Sequence, residues 1–172
     1  VVDPQSRAFG YDDLYVVGQP GPLPGSLQAF RAAGSGCRTP SGGRLFRNDG
    51  AGRFTDVTSV MEVPGRGWGM GATWADEDGD GDLDLYLTGF GCSTLYRNDG
   101  GTFHDATATL GLPLVEWEWG DRWADLDSDG DLDLIYFPPG AVPHLLLNQG
   151  DGTFREDAEF TGLLGNDLAS FG

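Results

Sequence analysis

The chain has 172 residues, with 10 Lys+Arg against 27 Asp+Glu and a formal net charge of −17. That length suits one domain, and 39% apolar composition with 12% aromatic residues supplies a packed core, which excludes a disordered acidic tail. The absence of any apolar run of about 18–20 residues excludes a spanning helix in this segment, and the acidity argues against nucleic acid, whose affinity comes from Lys and Arg meeting phosphate.

Glycine, at 29 residues, signals many tight turns and few long helices. In chain order, Asp13-Leu14-Tyr15-Val16 reads as a strand that aligns with Asp84-Leu85-Tyr86-Leu87. An insertion rich in Gly, Pro and Ser, residues 18–43, follows; it contains the one helix-like stretch, 26–33. Long loops on repeat scaffolds carry specificity in many proteins, so the segment reads as either a recognition loop or a surface excursion. Leu45-Phe46-Arg47-Asn48-Asp49-Gly50 then recurs as Leu95-Tyr96-Arg97-Asn98-Asp99-Gly100 and as Leu145-Leu146-Leu147-Asn148-Gln149-Gly150, at spacings of 50 and 50. Trp74-Ala75-Asp76 returns as Trp123-Ala124-Asp125, and Trp68-Gly69, Trp119-Gly120 and Phe171-Gly172 form a parallel series. Several aligned series with one period mark an internal repeat.

Each repeat reads as strand, acidic loop, strand, strand, Asn-x-Gly turn, strand. Four antiparallel strands in about 50 residues is the size of one β-propeller blade. The expected fold is therefore all-β, with blades at 1–67, 68–118 and 119–170 and the start of a fourth at 171–172. Three blades do not close a ring, so the expectation is an incomplete ring or a piece of a larger propeller with apolar faces at its ends. Trp68, Trp74, Trp119 and Trp123 recur at repeat-equivalent positions and are expected in blade-to-blade packing, whereas Trp117, between Glu116 and Glu118, has no equivalent.

The candidate site lies in two loops. Asp76-Glu77-Asp78-Gly79-Asp80-Gly81-Asp82-Leu83-Asp84 and Asp125-Leu126-Asp127-Ser128-Asp129-Gly130-Asp131-Leu132-Asp133 share the pattern D-x-D-x-D-G-x-x-D. Carboxylates packed this densely repel one another unless a cation neutralises them. A hard dication takes six to eight oxygens at about 2.3–2.6 Å, and calcium is expected in both loops. Positions 1, 3 and 5 supply Asp76, Asp78 and Asp80, or Asp125, Asp127 and Asp129. Position 7, Asp82 or Asp131, offers its carbonyl, and position 9, Asp84 or Asp133, closes the cage. An EF-hand would need a bidentate Glu at position 12, where Leu87 and Tyr136 stand, and flanking helices. In the first repeat Gln5, Arg7 and Phe9 fill the inward positions, with Gly10 at the turn, so no calcium is expected there.

No Ser, His or Cys constellation accompanies His104 or His144, and no catalytic residue is assigned. Arg47 and Arg97 read as solvated edge charges. Cys37 and Cys92 precede equivalent strands in neighbouring repeats, which leaves open whether they are bridged or free.

Tandem D-x-D-x-D-G-x-x-D loops before a D-L-x-L strand, led by W-G-M-G-A-T-W-A-D (68–76), resemble FG-GAP/VCBS-type repeats. The Arg-Asn-Asp-Gly…Phe-Thr-Asp-Val-Thr spacing (47–58) is similar to that of cartilage-acidic-protein-like secreted proteins. The resemblance implies a calcium-stabilised propeller of the kind found in integrin α-subunit heads, and a secreted or surface-exposed, non-enzymatic adhesion or recognition module. Protein or glycan ligands, or copies of the chain itself, are the partners expected. An extracellular fibre or surface-layer subunit is the alternative, and a polysaccharide-active enzyme the least supported.

Overall fold

A computed structural model describes residues 13–19, 40–90, 92–111, 120–137 and 143–157. Strands β1 (Leu14–Val16), β2 (Arg44–Gly50) and β3 (Arg53–Asp56) form one sheet. Strands β4 (Trp68–Ala75), β5 (Asp84–Phe90), β6 (Thr94–Asp99) and β7 (Thr102–Asp105) form a second. The third holds β8 (Asp121–Ala124), β9 (Asp133–Tyr136), β10 (His144–Asn148) and β11 (Phe154–Glu156). Neighbours in sequence are neighbours in each sheet, and every pairing is antiparallel. The protein is thus nearly all-β, built of three meander sheets of blade type, with no closed barrel among the described residues. The helix-like stretch 26–33 and the Cys37 end of the insertion lie outside them.

The sheets pack face to face, which explains the apolar runs. Leu85 and Leu87 of β5 join a cluster with Tyr15 and Leu45 of the first sheet and Val57 just after it, while Tyr86 between them joins Leu134, Tyr136 and Leu146 of the third. A central strand buried on both faces carries no polar alternation. Trp74 lies 6.3 Å from Phe103 in the first cluster, and Trp123 stands edge-on to Tyr86 at 5.8 Å in the second. Trp68 is buried, and Trp74 and Trp123 are half-buried against the two clusters; Trp117 and Trp119 lie outside the described residues.

The link between the first two sheets is tied at several points. Tyr15 donates its hydroxyl hydrogen to the Val63 carbonyl (2.9 Å), the Ser41 N–H bonds Gly65 O (3.2 Å), and Arg66 pairs with Asp105 (2.7 Å). Gly43 passes so close to Tyr15 that a Cβ there would meet the hydroxyl at 2.3 Å, so any larger residue would displace the ring from its bond to Val63.

Two short turns follow β3 and β7: helix α1 (Thr58–Met61) and a 3₁₀ turn (Thr107–Leu110). In both, an Asp carboxylate accepts the N–H of the Thr two residues on, at 3.1 Å from Asp56 and from Asp105. The same Thr hydroxyl accepts the N–H of Leu45 or Leu95 (2.9 and 3.1 Å), locking the turn to its sheet. The repeated Asp-x-Thr is the sequence signal for these turns.

Among the described residues, the outer face of the first sheet has no such cover. Leu14 (49% exposed), Val16 (45%) and Phe54 (48%) occupy the positions of Leu85 (0%), Leu87 (5%) and Phe103 (8%). Leu85→Ala is therefore expected to cost about 2–5 kcal/mol and Leu14→Ala less than about 1 kcal/mol. Equal losses by denaturant unfolding would contradict this packing.

Candidate metal centres

Each acidic loop joins the first two strands of its sheet, β4 to β5 and β8 to β9. The loops are wound by their own carboxylates. The Asp80 and Asp82 N–H groups bond Asp78 Oδ1 (3.3 Å) and Asp80 Oδ1 (2.8 Å), and Gly81 N–H bonds Asp76 Oδ2 (3.1 Å). In the third sheet Asp129 and Asp131 N–H bond Asp127 Oδ1 (3.3 Å) and Asp129 Oδ1 (3.0 Å). Position 6 has positive φ in both loops, +94° at Gly81 and +103° at Gly130, as its glycine requires. Position 4 is left-handed as well, at Gly79 (+73°) and at Ser128 (+67°).

This winding gathers positions 1, 3 and 9. Carboxylate oxygens of Asp76, Asp78 and Asp84 lie within 4.8 Å of one another, as do those of Asp125, Asp127 and Asp133. The remaining candidates point elsewhere. Asp80 converges instead with Asp78 and Asp99, and Asp129 stands outside the group of its own loop. Asp82 Oδ2 accepts the Gly100 N–H (2.9 Å), and Asp131 Oδ2 lies against Gly150, where a Cβ would meet it at 2.7 Å. Asp76 Oδ1 is buried and has no hydrogen-bond partner. An all-oxygen donor set with one buried carboxylate oxygen unsatisfied fits a hard cation.

Position 9 has a second duty. Asp84 accepts the Glu77 N–H (2.8 Å) on one oxygen and the Asn98 N–H (2.8 Å) on the other; Asp133 accepts Leu126 N–H (2.8 Å) and Asn148 N–H (2.9 Å). Asp13 repeats part of this in the first sheet by accepting the Asn48 N–H (2.8 Å). The carboxylate at this position thus braces the strand that leads into the Asn-x-Gly turn in all three sheets, including the one whose loop residues Gln5, Arg7 and Phe9 lack carboxylates. Those three residues and Gly10 lie outside the described residues.

Three participants were not legible as such. Glu77, at the variable second position, is buried and pairs with Arg97 (2.7 Å to Nε), which also reaches Asp78 (3.1 Å). Arg97 is therefore no solvated edge charge, because a buried carboxylate demands a partner. Asp99 enters through the Asn-Asp-Gly turn, which in the third sheet carries Gln149 instead.

Electrostatics follow from this crowding. Burial, reinforced by Glu77 and Asp78, pushes the Asp84 carboxyl up to about 7 against the two N–H bonds that oppose it. Burial likewise raises Glu77 despite Arg97, and raises Asp78 and Asp127, with Asp80 adding to the first and Asp129 to the second. Buried Asp121 is raised by desolvation, opposed by the Thr73 hydroxyl that donates to it (2.5 Å) between the second and third sheets.

Neither histidine belongs to a carboxylate group of the loops. His144 stacks on Tyr136 (4.7 Å) and pairs with Glu156 (2.5 Å), and His104 pairs with Asp99 (3.4 Å). Cys92 is buried and disulfide-bonded; Cys37, the other cysteine of the chain, lies outside the described residues, as do Glu116 and Glu118.

No match was found among curated proteins. The FG-GAP-like repeat pattern matches at residues 10–87 and 78–136, which together span well over half of the chain. Both matches take in an acidic loop and run into the strand that follows it. With this match over sheets of blade type, the chain belongs to the FG-GAP-like repeat family.

Proposed function

We propose that the chain is a calcium-stabilised extracellular binding or adhesion module, with one calcium held in each acidic loop. FG-GAP-like repeats point to a binding-type module in general. The observation that carries the calcium reading is the convergence of the same three loop positions in two register-equivalent loops, with Asp76 Oδ1 buried and unsatisfied in one. Asp76, Asp78 and Asp84 would hold one ion and Asp125, Asp127 and Asp133 the other, with Asp80, Asp82, Asp129 and Asp131 completing the acidic shell. Bound calcium would offset part of each loop's negative charge and rigidify the edge that presents it. Millimolar extracellular calcium keeps even weak sites filled, which fits a secreted or cell-surface location. The ligand in this reading is a protein or glycan engaged by blade loops, the 18–43 insertion among them. A structural subunit is the second reading, favoured by the exposure of Leu14, Val16 and Phe54 on one face of the first sheet. Catalysis has no place in either.

Calorimetric titration of metal-stripped protein with calcium is expected to give two bound ions. Asp125→Asn together with Asp127→Asn should leave one. Saturation at about 100 times the dissociation constant should stabilise the fold by about 2.7 kcal/mol per site. Absence of binding, or unchanged stoichiometry in the double variant, would overturn the reading.

A further inference from the structure

The two acidic loops belong to different sheets, yet one side chain touches both. Asn148, buried at the end of β10, gives its backbone N–H to Asp133 Oδ1 (2.9 Å), a member of the third sheet's carboxylate group. Its Nδ2 donates to Leu132 O (3.2 Å) in that same loop and to Glu77 O (2.7 Å) in the loop of the second sheet. Glu77 lies between Asp76 and Asp78, so the accepting carbonyl belongs to the segment that sets the spacing of those two carboxylates. Asn148 Oδ1 in turn accepts the Gly150 N–H (3.1 Å), which fixes the amide's orientation. The register equivalent in the second sheet, Asn98, makes the corresponding bond to Leu83 O (3.1 Å) of its own loop. Arg97 holds Asp78 and Glu77 of the second loop, and its guanidinium lies beside Gly152, where a Cβ would be 3.5 Å from Nη1.

We propose that Asn148 couples cation binding at the two loops, so that filling one raises the affinity of the other. This inference rests on the calcium reading above. An empty loop is a set of mutually repelling carboxylates, and ordering it has an entropic cost. When calcium orders the third sheet's loop, Asp133 and Leu132 hold Asn148 in place, and its amide then holds the Glu77 carbonyl. Part of the ordering needed at Asp76 and Asp78 is thereby already done when the second ion arrives, and the relation is reciprocal. Direct repulsion between two dications has the opposite sign, so the sign of the coupling is diagnostic.

The test compares calcium isotherms of six metal-stripped proteins: the parent, Asn148→Ala and Asn98→Ala, each with and without Asp127→Asn. Asp127→Asn disables the third sheet's site and leaves the other to be read alone. In the parent background, the second sheet's site is expected to bind calcium at least about five-fold more weakly once its neighbour is disabled. In the Asn148→Ala background the difference should vanish. Asn98→Ala, which leaves the bond between sheets intact, should retain it. Equal affinity of the second sheet's site in parent and Asp127→Asn overturns the coupling whether or not Asn148→Ala folds, and persistence of the difference in a folded Asn148→Ala protein overturns the role of Asn148. No calcium binding by the parent would overturn the calcium reading and the coupling together.

Discussion

Arg97→Leu is expected to destabilise the protein by about 3 kcal/mol in denaturant unfolding, and Glu77→Leu with Arg97→Leu to recover most of that loss. The single change leaves the Glu77 carboxylate, whose side chain is 0% exposed, with no cation against it. Its Oε2 already lacks a hydrogen-bond partner, so the Arg97 guanidinium is its main compensation. A buried charge stripped of its partner retains its full desolvation cost, whereas two apolar groups in the same space have none. The repeat accepts apolar residues at both positions: their register equivalents in the third sheet are Leu126, which is 40% exposed, and Leu147, which is buried. The double variant writes that solution into the second sheet. If Arg97→Leu and the double variant prove equally unstable in metal-free buffer, the pair is not what satisfies Glu77.

The pH dependence of melting is expected to reverse sign with calcium. In metal-free protein the Asp84 carboxyl sits near 7, above its ordinary 3.8, because it is buried among other carboxylates. The folded state therefore holds a proton that the unfolded state has released between those values. Its contribution to stability is fully present below about pH 4 and is lost as pH rises through about 7. Asp78, Asp127, Glu77 and Asp121 are raised as well and act in the same direction. Metal-free protein should accordingly melt at a higher temperature at about pH 5 than at about pH 8. Calcium requires the same carboxylates ionised, so protons compete with it and the loaded protein should melt higher at about pH 8. Relief of repulsion in a chain of charge −17 favours acid in both cases, so only ion binding accounts for a reversal. Parallel pH profiles with and without calcium would refute carboxylate ligation at these loops.

Internal repetition made the architecture readable. A period near 50, Asn-x-Gly turns and short apolar runs define meander sheets locally, because hairpin chemistry and strand pattern depend on near neighbours in the chain. The acidic loops were legible for the same reason: nine consecutive residues contain the carboxylates and the glycine that bends them. The Asp-x-Thr turns after β3 and β7 carried a signal too, a short repeated motif beside a strand end.

Other features depend on what the third dimension brings alongside. Nothing near Glu77 in sequence distinguishes it from the Leu126 at the same position of the other loop, and its burial follows from the sheets that close over it. Arg97 reads as a solvated charge until that buried carboxylate is placed 2.7 Å away. The repeat pattern puts Asp84 and Asp133 at the end of a candidate cage, but only the fold shows their oxygens bracing Asn98 and Asn148 as Asp13 braces Asn48. Asn148 reaches Glu77 across 71 positions of chain. Short-range pattern determines which residues form a strand, a turn or a carboxylate loop, since those choices are made by torsions and nearby hydrogen bonds. Which loop touches which, and which charge must find a partner, is decided by burial between sheets, a property of the packed whole.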